Sequence, residues 1–163
     1  MGQGMMVVAF LLALGLLTMF FADIQESQYN PNQAPTSAAA GNAVEVSLLR
    51  NRQGHYVVSG AINQQPAEFL LDTGATDVVI PADLAGQLGL SRGYAAKAIT
   101  ANGTVTVYET SIDHLSIGDI ELRNVRASIN PGMRGQSILL GMSALKHIEF
   151  VQRGDQLTLR QLY

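Results

Sequence analysis

Residues 69–81 read FLLDTGATDVVIP. Two apolar runs, Phe69-Leu70-Leu71 and Val78-Val79-Ile80, flank a short segment that opens on the carboxylate Asp72, followed by Thr73, Gly74 and Ala75, and closes on Asp77. Short apolar runs rich in branched residues and bounded by turn formers predict two buried strands joined by a sharp turn. An ionised carboxyl at the end of a buried strand costs roughly several kcal/mol when it has no partners. Asp72 therefore needs hydrogen-bond donors or a chemical task. Gly74 permits a sharp backbone turn and the close approach of a second chain, and Thr73 offers a hydroxyl to fix the turn. The same three residues also fit an ordinary Asx turn between strands, and local chemistry leaves both readings open. Asp77, Asp83 and Asp113 read as turn, cap or surface residues.

Outward from this stretch the texture is that of an all-β domain. Val44, Val46 and Leu48 alternate with Glu45 and Ser47, which predicts a strand. A turn over 51–54 leads to a second strand over 55–62, closed by residues 63–66. Short strands at this spacing point to a barrel or sandwich. Residues 81–90, PADLAGQLGL, predict one short helix, with Pro at its start, Asp83 in its first turn and Gly near its end. Asn102-Gly103 within ITANGTVTVY (99–108) is a strong hairpin signal, because a type I′ turn requires positive φ at both central positions. Val105 and Val107 alternate with Thr104, Thr106 and Tyr108, so one face of that hairpin can cover a site while the other meets water. Residues 142–146 predict a short helix, and residues 150–159 two strands around Arg153-Gly154-Asp155.

The amino-terminal part differs. Residues 5–21, MMVVAFLLALGLLTMFF, carry no charge and have the length of a short membrane span. A cleaved signal peptide is disfavoured, because no small-x-small site follows directly and Ala38-Ala39-Ala40 lies too far downstream. A buried core helix is disfavoured because the run has no polar face. Residues 1–22 thus read as a transmembrane anchor, 23–42 as a flexible linker rich in Gln, Asn, Ser, Pro and Ala, and 43–163 as the catalytic-sized domain. No Lys or Arg precedes Arg50, so charge does not set the orientation.

Composition narrows the chemistry. The chain has 163 residues, a net charge of −3 and no Cys. The absence of Cys excludes disulfides, thiolate metal sites and thiol catalysis. Basic residues are not clustered, which argues against a nucleic-acid partner. His55, His114 and His147 are far apart and form no zinc-binding pattern. No metal or cofactor is expected.

Residues 69–81 resemble the active-site segment of retropepsin-like aspartic proteases. Ile138, Leu139, Leu140 and Gly141 are similar to that family's later apolar-apolar-Gly motif, and residues 99–108 resemble its flap. The order of the three segments is the family's order, and the likeness covers about 43–159. It is greatest for a bacterial subgroup of single-domain enzymes with one N-terminal membrane helix. The resemblance implies an all-β, retropepsin-like closed barrel or sandwich with one or two short helices, preceded by a single transmembrane helix. It further implies a single-pass inner (cell) membrane protein with the domain on the periplasmic side, acting as an aspartic endopeptidase on peptide or protein substrates. Asp72 is then the catalytic residue, in an active-site turn with Thr73, Gly74 and Ala75. Thr100, Ala101, Asn102, Gly103 and Thr104 form the flap, and Leu139, Leu140 and Gly141 the structural motif. Val79, Ile80, Ala101, Val105 and Ile138 are expected to line an apolar substrate pocket.

Because only one Asp-Thr-Gly occurs, the second carboxyl must come from another copy, and a homodimer follows. Two facing Asp72 carboxyls cannot both ionise, so they share a proton. One activates a water and the other stabilises the oxyanion. The chain departs from the retroviral pattern at Thr76 and Met142, where those enzymes carry an Asp–Arg ion pair, so dimer contacts are expected to differ. Two rival readings are a retropepsin-shaped dimer that binds extended peptides without cutting them, and an anchored β-domain with an accidental Asp-Thr-Gly. The intact Asp72 turn with a recognisable flap argues against both.

Overall fold

The computed structural model describes residues 2–100 and 103–163. An apolar N-terminal stretch without proline forms α1 (Gly2–Tyr29). The strands follow wherever apolar residues alternate or cluster: β1 (Ser37–Ala40), β2 (Ala43–Leu49), β3 (Val57–Ile62), β4 (Gln65–Leu71) and β5 (Val78–Pro81). A short helix, α2 (Ala82–Ala85), precedes β6 (Ala95–Thr100), β7 (Gly103–Ile117), β8 (Ile120–Asn130) and β9 (Ser137–Leu140). A second short helix, α3 (Met142–Leu145), leads to β10 (Glu149–Arg153) and β11 (Gln156–Leu162).

One sheet has the order β3-β4-β9-β5-β8-β7-β6. Strand β3 also pairs with β7, through Ala61↔Ser116 and Ile62↔Leu115, and this closes the sheet into a barrel. A smaller sheet, β1-β2-β11-β10, packs beside it. The core between them is largely aliphatic around one aromatic ring, with Leu48, Ile62, Phe69, Ile80, Ile112, Ile129, Ile138 and Leu140 fully buried. Each such side chain contributes about 1.5–3 kcal/mol of transfer free energy. The domain is therefore an all-β closed barrel with a second small sheet and two short helices.

Two local expectations require correction. The stretch 23–42, expected to be a structureless linker, is ordered. Helix α1 continues to Tyr29, Asn30 and Asn32 are buried against the barrel, and β1 pairs with β2 through Ser37↔Val46 and its neighbours. Polar composition suggested solvation, but the Asn32 side chain bonds backbone groups of Leu49 and Val57, and the Asn30 side chain bonds the Ser59 and Glu68 side chains. The regular helix expected over 81–90 covers only Ala82–Ala85. Gly89 adopts φ +69, and the Leu90 N–H reaches back to the Ala85 carbonyl at 2.9 Å, which terminates the helix.

Helix α1 is the one feature of the described residues long and apolar enough to cross a membrane, over Gly4–Tyr29, and the domain buries none of its apolar window.

Candidate active site

Asp72 follows directly on β4. That strand lies parallel to β9, with Leu71 opposite Leu140, and β9 in turn meets β5 at Val79↔Leu139. The turn carrying Asp72 is thereby enclosed by the two strands it joins and by β9 between them. The Asp72 N–H donates to the Leu140 carbonyl at 3.2 Å, which holds the residue at the end of the parallel pair. Within the turn, the Gly74 N–H donates to Asp72 Oδ1 at 2.9 Å, and the Ala75 N–H donates to the Asp72 carbonyl at 3.2 Å. The side chain is half-buried, and Oδ2 has no hydrogen-bond partner among the described residues. One carboxylate oxygen is therefore fixed by the turn and the other is available for chemistry. Thr73 and Gly74 are exposed beside it.

The later motif closes the same structure. A Cβ on Gly141 would lie 2.1 Å from the Asp77 carbonyl oxygen and 2.7 Å from that of Ala75, so only glycine fits where the two chain segments cross. The Met142 N–H donates to the Ala75 carbonyl at 2.8 Å and the Ser143 N–H to the Thr76 carbonyl at 2.9 Å. Thr76 and Met142, which lack the ion pair of retroviral enzymes, stand within a backbone-to-backbone clasp.

Two side chains that sequence reasoning did not single out, Ser143 and Arg126, complete that clasp with Asp77, which was read as a turn, cap or surface residue. Ser143 Oγ accepts from the Val78 N–H at 3.0 Å and donates to the Arg126 carbonyl at 2.7 Å. Arg126 Nε donates to Asp77 Oδ1 at 2.7 Å. A Ser one residue inside a helix carries no local signal of such a role, because its partners lie 65 and 17 residues away.

The flap segment forms a hairpin of β6 and β7, paired from Ala95↔Tyr108 to Thr100↔Gly103. Thr100 Oγ1 donates to the Gly103 carbonyl at 2.8 Å, and Gly103 sits at φ +108. Ala101 and Asn102 lie outside the described residues. Gly103 and Thr104 are exposed and Val105 is half-buried, while Ile99 is 90% exposed. Strand β8 joins the hairpin to the site: Ile129 stands opposite Tyr108 on one side and Ile80 on the other.

The expected pocket residues divide. Ile80 and Ile138 are fully buried core residues and offer no surface to a substrate, whereas Val79 is half-buried. Strand alternation turns Val79 and its partner Leu139 to the opposite face from Ile80 and Ile138.

Residues 58–147 match the family model described as "gag-polyprotein putative aspartyl protease". The chain belongs to the retropepsin-like aspartyl protease family. Among solved structures it is similar to a retropepsin-like aspartic protease from Rickettsia conorii, with a TM-score of 0.65 and 27% identity, covering 78% of this chain and 95% of that one. Among curated proteins it is 29% identical over 134 residues to an uncharacterized protein from the cobV 5′ region of a Sinorhizobium species, covering 80% of this chain. It is also 29% identical over 108 residues to an uncharacterized protein of Rickettsia prowazekii, covering 64% of this chain. The retropepsin-like chain spans only 58% and 46% of those two relatives' lengths.

Proposed function

We propose that this retropepsin-like protein is a membrane-anchored aspartic endopeptidase whose active unit is a homodimer. The observation that carries this reading is the Asp72 turn, in which the Gly74 N–H holds Oδ1 while Oδ2 stays free of protein donors. A second Asp72 brought up by a two-fold axis completes the acid–base pair. The ionised carboxyl takes a proton from a water held between the two. That water attacks the peptide carbonyl, and the protonated carboxyl donates to the developing oxyanion. The nitrogen leaves as the amine once it receives a proton, so no covalent enzyme intermediate forms. Thr73 of each copy reaches across the axis to tie the two turns. The β6–β7 hairpin, whose described end is the Thr100↔Gly103 pair, closes over an extended peptide and excludes bulk water.

The surface supports self-association. Edge strand β10 leaves Phe150 42% and Val151 53% exposed, and β11 occupies only one of its two hydrogen-bonding sides. Helix α1 serves as the anchor through residues 5–21, in the inner membrane, with the domain on the periplasmic side in keeping with the bacterial subgroup the sequence resembles.

The test is a peptide-library digest by the full chain in detergent, alongside its Asp72→Asn variant. Cleavage by the wild type and none by the variant, with both dimeric by sedimentation, is the expected result. Peptide binding without cleavage by either protein would instead identify a binding module.

A further inference from the structure

The join between α1 and the barrel is a built structure. Asn30 is 1% exposed and Asn32 is 6% exposed. Asn30 Nδ2 donates to Ser59 Oγ at 3.0 Å and to Glu68 Oε2 at 3.1 Å, while Asn30 Oδ1 accepts from the Asn32 N–H at 2.9 Å. Asn32 Nδ2 donates to the carbonyls of Leu49 and Val57 at 2.9 and 2.7 Å, and Asn32 Oδ1 accepts from the Leu49 N–H at 2.7 Å. The Asn32 carbonyl accepts from the Ser59 N–H at 3.1 Å, and Asn51 Nδ2 donates to the Tyr29 carbonyl at 2.9 Å. Buried amides satisfied on both sides in this way hold one geometry, because breaking any of these bonds orphans a group away from water.

The last helical residue takes part. Ser137 Oγ donates to Glu68 Oε1 at 2.7 Å, so the Tyr29 hydroxyl, 2.6 Å away, is the donor to Ser137. Glu68 and Ser137 are partners in the parallel β4–β9 pair, whose other end carries Asp72 and Leu140. Higher on the helix, Glu26 shares the walls of a groove of about 480 Å³ with Pro66, Glu68 and Leu88 of the domain. Between Phe21 and Tyr29 the helix is unbroken. From the end of the apolar run, along the helix, through Tyr29 and along β9 to Asp72, the path is at most about 40 Å.

Resting on the protease reading above, we infer that the substrates are polypeptides held in the same membrane and cut within about a dozen residues of its surface, a distance an extended chain covers in about 40 Å. The clamp at Tyr29, Asn30 and Asn32 turns α1 into a spacer of fixed length. A catalytic turn on a flexible tether would sample many heights. Fixed to α1, it samples a narrow band, and effective concentration is high only for scissile bonds within that band.

The experiment places a fluorogenic cassette, chosen because the wild type cleaves it as a free peptide, at 5, 10, 20 and 40 residues from the end of a single-span reporter helix. Reporter and full-length enzyme are reconstituted in phosphatidylcholine vesicles. The comparison enzyme carries a 20-residue Gly/Ser insertion after Ala22, which leaves the clamp on the barrel and detaches it from the membrane. We expect the wild type to cleave the 5- and 10-residue reporters at least tenfold faster than the 40-residue one. The insertion variant should cleave all four within about threefold of one another and match the wild type on the free peptide. A wild type indifferent to spacing, or an insertion variant with an unchanged preference, would overturn the spacer. Failure of the wild type to cut any free peptide would instead overturn the protease reading, and the spacer with it.

Discussion

At the scale of single residues, the site is set by atoms that leave little latitude. Replacing Asp72 by Asn keeps the size and the Gly74 N–H contact but removes the ionisable group. Turnover should fall by at least about 10²–10⁴-fold, the usual contribution of a general acid or base, while urea unfolding changes little. Gly141→Ala would push a methyl group into the Asp77 and Ala75 carbonyls. Relief requires the crossing segments to separate, at a cost of about 1–3 kcal/mol or more, and activity should fall with stability because Asp72 shares that clasp. Ser143→Ala leaves the Val78 N–H and the Arg126 carbonyl without their partner. A loss of about 1–3 kcal/mol is expected in denaturant unfolding. By contrast Arg126→Ala, which breaks a pair whose Arg side chain is 68% exposed, should cost under about 1 kcal/mol.

At the scale of elements, what the sequence made legible was local. The Asp72 turn, α3 and the β10–β11 pair rest on alternation and turn chemistry within about a dozen residues, and each stands where that chemistry placed it. The β6–β7 hairpin also forms, but Gly103, expected as a central turn residue, instead begins β7 opposite Thr100. Residues 30–42 were not legible, because Asn30 and Asn32 satisfy donors and acceptors on β2, β3 and β4, and polar side chains so used look like solvated ones in a sequence. The face of Ile80 and Ile138 was also hidden. Alternation tells that neighbours point opposite ways, but not which way the barrel lies, so Ile80 was expected in the pocket beside Val79, and Ile138 in place of Leu139. Ser143 escaped notice for the same reason as the two Asn: its partners are distant in the chain.

At the scale of the whole molecule, the proposed mechanism makes activity a property of a pair, since each chain offers one Asp72. Specific activity should decline on dilution through the dissociation range measured by sedimentation, and strict proportionality among proven monomers would exclude a two-fold site. Mixing wild type with excess Asp72→Asn chains should suppress turnover beyond simple dilution, since mixed pairs lack one of the two ionisable groups.

The parallel pairing of β4 with β9 also governs when the enzyme can come into being. Residues 68–71 meet residues 137–140, so the turn that presents Asp72 has no wall until nearly the whole chain has been synthesised. Contacts of such long sequence separation form slowly. During synthesis α1 is free to settle before the β4–β9 pair exists. On the proposed function, the nascent chain stays inert through that interval, and catalysis waits until residues 137–140 have joined the barrel.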